Sequence, residues 1–168
     1  LNYYLKMVLE RYSYLGVDCV EPFLIEAREK HPESFINFIN ADIRDARLEQ
    51  HDYVLGSGIF NYKFEQSDNY GYISEVMQKA FSLCKIGMCF DFLSSNVDYR
   101  VHDYSFHSKP TRILDLAYAL SRNILLRNDY APFEFSIFVF KDDSYDIDDT
   151  IFKRFKDSHR LNLIHELS

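Results

Sequence analysis

Apolar residues recur along this chain in two alternating rhythms. Tyr3, Tyr4, Met7, Val8 and Tyr12 fall three and four apart, as on one face of a helix. Tyr14-Leu15-Gly16-Val17-Asp18 is a short apolar run stopped by an acid, which suits a strand buried on both faces. Pro22 opens a second helix, where its missing N–H costs nothing, and His31-Pro32 ends it, because a residue before proline avoids the helical region. Phe35 to Ile39 reads as a strand ending at Ala41-Asp42, and Tyr53-Val54-Leu55 as another running into Gly56-Ser57-Gly58. Tyr72, Ile73, Val76, Met77, Ala80, Phe81 and Cys84 form the clearest helical stripe, with Gly87 where its stop is expected. Met88 to Leu93 is a strongly apolar strand. Ser94 to Ser108 is polar and aromatic without period, which predicts a long functional loop, and a helix follows from Pro110 to about Leu120. Asn123 to Arg127 and Phe135 to Phe140 are strand-like runs joined too tightly for a crossover helix, so they are expected to pair antiparallel.

This order predicts an α/β fold: a doubly wound, mostly parallel sheet with helices on both faces and a C-terminal antiparallel β-hairpin. Residues 1–141 are expected to form that domain, and 142–168 an acidic linker and an amphipathic helix around Ile151, Phe152 and Phe155. The basic run Lys153, Arg154, Lys156, Arg160 is interleaved with Asp148, Asp149 and Asp157, and reads as a solvated helix face.

Charge and cysteine content narrow the function classes. A net charge of −7 gives no global attraction for a phosphate backbone, so nucleic acid is disfavoured as a partner. Cys19, Cys84 and Cys89 lie in apolar surroundings and cannot all pair with one another, which fits a reducing, cytoplasmic setting. No stretch approaches the roughly 18–20 apolar residues of a membrane span, so no membrane association is expected. No His or Cys pair has zinc spacing, so no metal is expected either.

Ligands of doubly wound sheets bind beyond the carboxyl ends of the strands. Asp18 ends one strand, where a carboxylate can accept two hydrogen bonds from a ribose diol or, alternatively, cap the next helix. Small or apolar Cys19 and Val20 can pack on an adenine face. Asp42 ends the next strand and can accept from an adenine amine while the Ile43 N–H donates to the ring; the alternative is a turn aspartate bonding its own backbone. The glycines flanking Ser57 let the backbone pass close to a ligand, without the third glycine or the lysine of a phosphate loop.

Taken together, Tyr-Leu-Gly-Val-Asp at 14–18 with Ile-Glu-Ala-Arg-Glu-Lys-His-Pro at 25–32 resembles the second conserved region of class I S-adenosylmethionine-dependent methyltransferases. Asn-Ala-Asp-Ile-Arg-Asp at 40–45 resembles the third region, and Asp-Tyr-Val-Leu-Gly-Ser-Gly-Ile-Phe-Asn at 52–61 the fourth. Glu134 to Phe138 matches the reversed last strand of that family. The likeness implies S-adenosylmethionine as cofactor and S-adenosylhomocysteine as product. It implies that Asp18 holds the ribose hydroxyls, Cys19 borders the adenine, Asp42 and Ile43 read the adenine edge, and Ser57 and Gly58 flank the methionine portion. The family's Gly-x-Gly-x-Gly loop is not in this chain; that loop and the first, central strand of the sheet are expected upstream of Leu1, so residues 1–141 are expected to lack that strand.

The expected chemistry is in-line methyl transfer to a small-molecule acceptor, in which the protein mainly positions the nucleophile and removes a proton. His102 and His107 are candidate bases, Asn61 a candidate for orienting the acceptor, and Tyr99 and Tyr104 candidate substrate contacts. Tyr62, Phe64, Tyr70 and Tyr72 can line an apolar acceptor pocket. One alternative is a non-catalytic methyltransferase-like subunit whose tail, Ile147 to Leu167, docks onto a partner or a second copy. Another is a nicotinamide-dependent oxidoreductase, since Asp18 would suit that ribose too; an antiparallel last strand argues against it.

Overall fold

The computed structural model describes residues 2–65, 68–99 and 102–141. The tail expected to be a linker and helix, 142–168, lies outside them. In chain order the elements are α1 (Asn2–Val8), β1 (Tyr14–Asp18), α2 (Glu21–Lys30), β2 (Ile36–Asn40), β3 (His51–Gly56), α3 (Asn69–Leu83), β4 (Cys84–Leu93), α4 (Pro110–Tyr118), β5 (Asn123–Arg127) and β6 (Glu134–Phe140).

The core lies where α3 and α4 cover one face of a four-stranded sheet ordered β3-β4-β6-β5. Alternation along the strands sets that face: Met88, Phe90 and Phe92 of β4 and Phe135, Ile137 and Val139 of β6 are all buried. Phe60 stacks on Phe92 at 5.0 Å, and Phe92 on Phe135 at 5.2 Å. Each such ring contributes about 1.5–3 kcal/mol by leaving water, so this stack anchors the domain. Ile73, Val76, Met77 and Ala80 give α3 its buried stripe, and the Asp68 carboxylate caps the helix by accepting the Tyr70 N–H at 3.0 Å.

The strands form two ladders: β1 pairs with β2 in parallel, and among the described residues no strand joins that ribbon to β3. Two features differ from the sequence expectation. The larger ladder is mixed, because β3 and β4 are parallel while β6 runs antiparallel to both β4 and β5. The short connection from β5 forces that reversal, and β6 carries it into the middle of the sheet. Its second face bears the row Leu55, Cys89, Phe138, Leu125, with Leu55 and Leu125 exposed, where helices on both faces were expected. The other difference is Gly87, which does not stop the helix. α3 ends at Leu83, and Cys84 caps it through its N–H to Ala80 while starting β4, so Gly87 falls inside the strand. The Phe140 ring crosses so close there that a Cβ would meet it at 2.8 Å, which explains the glycine by contact with β6 instead of by helix termination.

Candidate functional site

Parallel pairing places Asp18 opposite Asn40, and the Ala41 N–H donates to the Asp18 carbonyl at 3.0 Å. Asp18 therefore ends β1, and Asp42, expected to end the next strand, stands in the turn two residues past the end of β2. One Asp18 carboxylate oxygen accepts the Val20 N–H at 2.8 Å; the other has no hydrogen-bond partner among the described residues. Cys19 is exposed beside it.

Asp42 is more fully engaged. Its carboxylate accepts the Arg44 backbone N–H at 2.9 Å and the Arg44 guanidinium through Nε at 3.1 Å and Nη2 at 2.7 Å. These bonds to Arg44 hold its carboxyl below the usual aspartate range. Arg44 also reaches Glu75 of α3 at 3.1 Å and lies 4.9 Å from the centre of the Tyr72 ring. That side chain ties the β1–β2 ribbon to the helix of the larger ladder. Burial, then the charge of Asp42, raises the Tyr72 phenol above its ordinary value. Asp42, Arg44, Phe64, Asp68, Gly71, Tyr72 and Glu75 line an open pocket of about 510 Å³, with Asp18 outside that lining. The Ile43 side chain packs against the main core, which fixes the backbone between Asp42 and Arg44.

At the end of β3, Ser57 donates its hydroxyl to Asp91 of β4, and the Gly58 N–H donates to the same carboxylate at 2.7 Å. Gly58 sits at φ 71°, with open space where a Cβ would be, so a ligand can approach its backbone.

Beyond this turn the chain builds a wall. Buried Asn69 accepts the Phe64 N–H at 3.2 Å and donates to the Tyr62 carbonyl at 2.8 Å. The Asn61 side-chain oxygen accepts the Leu93 N–H at 3.3 Å, which fixes the orientation of its amide. The segment read as a long loop is pinned at both ends by bridges from Ser94 to Ser108 and from Tyr62 to Ser105. Along it, exposed Tyr104 stacks on His102 at 5.2 Å, and Tyr99 meets His107 edge-on at 6.1 Å. His107 Nδ1 lies 2.6 Å from the Ser94 carbonyl. A carbonyl only accepts, so Nδ1 carries the hydrogen and the neutral ring keeps its lone pair on Nε2. Of the aromatic candidates, Phe64 and Tyr72 line the pocket, whereas Tyr62 is exposed and Tyr70 accepts the Lys109 N–H at 3.0 Å.

Sequence reading passes over Arg44, Glu75, Asn69 and Asp91. The signal for Asp91 is present: it is the one acid in an apolar strand, in the alternation that faces away from the core. Arg44 stands two residues after Asp42, close enough to fold back on it. Among the described residues no cluster of His, Cys, Asp or Glu has the makings of a metal site, and no helix is long and apolar enough to cross a membrane.

No family model matches this sequence, and no curated protein matches it. Solved structures do resemble it in fold. Magnesium protoporphyrin IX methyltransferase from Synechocystis, crystallised with S-adenosylhomocysteine, superposes with a TM-score of 0.61 at 12% identity, covering 82% of this chain and 68% of that one. Human N-acetylserotonin methyltransferase in complex with S-adenosylmethionine gives 0.56 at 16% identity, covering 77% and 40%. An N-methyltransferase from Bradyrhizobium japonicum gives 0.57 at 12%, covering 82% and 78%. This chain thus has the fold of class I S-adenosylmethionine-dependent methyltransferases, and spans 40% to 78% of the length of these three.

Proposed function

We propose that this chain forms the core of an S-adenosylmethionine-dependent methyltransferase acting on a small-molecule acceptor. The observation that carries the reading is the Asp18 carboxylate at a strand end, with one oxygen given to its own turn and the other left for a ligand. That free oxygen fits a ribose hydroxyl, exposed Cys19 fits the adenine border, and the open backbone at Gly58 fits the methionine portion. Asp42 fits the adenine amine when Arg44 swings off it, and Glu75 offers the guanidinium a second carboxylate.

The cofactor supplies an activated methyl group. The protein's part is to orient the acceptor, keep water out and take a proton. His107 is the better base of the two histidines, because its Ser94 contact leaves Nε2 able to accept, and His102 is stacked on an exposed tyrosine. Replacing His107 by Gln should lower methyl transfer roughly a hundredfold, the low end for a general base, while leaving cofactor affinity unchanged. The antiparallel β6 supports this reading over a nicotinamide enzyme.

Calorimetric titration of the full-length protein tests the reading. S-adenosylhomocysteine should bind, and Asp18→Ala should weaken it about tenfold through loss of a charge-assisted hydrogen bond. Absence of binding to both S-adenosylmethionine and S-adenosylhomocysteine would refute it.

A further inference from the structure

β4 runs through the middle of the larger ladder, between β3 and β6, and apart from Lys85 near its start its one charged residue is Asp91. The carboxylate is half-buried on the sheet's second face, where Cys89 precedes it by two residues and Ser136 faces it across the ladder. Removing an ionised carboxylate from water is costly unless donors replace the lost solvent. Both donors to Asp91 come from the turn after β3, the Ser57 hydroxyl and the Gly58 N–H. That turn is built of small residues and includes a left-handed glycine, so by itself it would sample many shapes. Asp91 links it to a strand paired on both sides.

We propose that Asp91 is a positioning residue, whose carboxylate fixes the Ser57–Gly58 turn in the shape that receives the methionine end of the cofactor. The role rests on the cofactor reading above. Each of its oxygens accepts one hydrogen bond from the turn, which is the contact a positioning role requires. The side-chain geometry also predicts which replacements work. Asparagine keeps an oxygen for the Gly58 N–H and can donate its amide to the Ser57 oxygen, with the hydroxyl rotating to accept. Alanine loses both bonds.

The experiment uses the full-length chain with variants Asp91→Asn, Asp91→Ala, Ser57→Ala and the Ser57→Ala/Asp91→Ala pair. Each is titrated with S-adenosylhomocysteine, and the Gly58 amide is followed by NMR hydrogen exchange without ligand. Asp91→Ala should weaken binding roughly ten- to a hundredfold, the range typical of groups that orient a binding shell, and speed exchange at Gly58. Asp91→Asn should restore affinity to within about threefold, and Ser57→Ala should add nothing once Asp91 is gone, since coupled residues are not additive. If Asp91→Asn binds as poorly as Asp91→Ala with Gly58 still protected, the acid meets the cofactor by charge and the positioning role is wrong. Unchanged affinity and unchanged exchange in Asp91→Ala would also overturn it. Should Asp91→Ala fail to fold, Ser57→Ala, altered at an exposed side chain, and Asp91→Asn carry the test alone. A wild-type chain that binds no cofactor but loses Gly58 protection in Asp91→Ala sinks the cofactor reading and retains Asp91 as the residue that sets the turn.

Discussion

Gly56, the last residue of β3, provides the sharpest check on how the strand end is built. A Cβ placed there would lie 2.5 Å and 2.6 Å from two Phe90 ring carbons and 3.0 Å from Ile59 Cδ1. Carbon atoms rest at about 3.5–4.0 Å, so the shortfall is close to an ångström. The ring cannot step aside freely. Phe90 is 1% exposed and packs against Phe60 at 5.3 Å, which in turn stacks on Phe92. Overpacking of this kind costs about 1–3 kcal/mol. Gly56 has no left-handed backbone, so alanine meets no conformational penalty there and recovers about 0.4–1 kcal/mol through a less disordered unfolded chain. The net expectation for Gly56→Ala is a loss of about 1–2 kcal/mol, or roughly 2–8 °C in Tm for a domain of this size. Thermal and urea unfolding measure it. Pairing the change with Phe90→Leu should reveal a coupling of about 1 kcal/mol, because the shorter side chain makes room for the methyl. A Gly56→Ala protein as stable as wild type, or two changes whose costs simply add, would refute the contact argument.

Gly58 offers the complementary case: there is space for a methyl, but φ is 71°, so Gly58→Ala should cost about 1 kcal/mol in backbone strain and Gly58→Asn less, by the same unfolding assay. Arg44→Ala should destabilise by about 1 kcal/mol near neutral pH, the value of an exposed bidentate pair with a ring contact. Because the Asp42 carboxyl is held low, its stabilisation is complete above the unfolded carboxylate range and fades as pH falls through the lowered folded value. The gap between wild type and Arg44→Ala should therefore be constant from pH 5 to 7 and shrink below about pH 4, where unfolding at several pH values will show it. Finally, burial and the charge of Asp91 push the Cys89 thiol up to about 11, whereas Cys19 is exposed. Iodoacetamide at neutral pH should label Cys19 well before Cys89, as read by mass spectrometry, and equal rates would contradict the burial of Cys89.

Much of the fold is legible in local pattern. β1 and β5 can be read to the residue, because each is a short apolar run bounded by polar or turn residues. The start of α3 is harder, since its first turn is capped by Asp68 and carries Asn69, Tyr70 and Gly71, which imitate a loop. Gly87 misleads because glycine marks both a helix stop and a close crossing, and only the register with Phe140 distinguishes them. The same limit applies to the site. Asp18 announces itself by ending a strand and Asp42 by following one closely, but Arg44 acquires meaning only when α3 brings Glu75 and Tyr72 alongside, and Asp91 only when parallel pairing brings up a turn more than thirty residues earlier. Nothing local encodes those partners.

The seam between α3 and β4 has a consequence of its own. With Leu83 closing the helix and Cys84 opening the strand, there is no spare residue to absorb a change in length. One added residue taken up by the strand would rotate it by half its repeat, turning Phe90 and Phe92 away from the core and Asp91 toward the aromatic stack. An insertion at that seam spares the core and the turn it anchors only if the added residue loops out between Leu83 and Cys84.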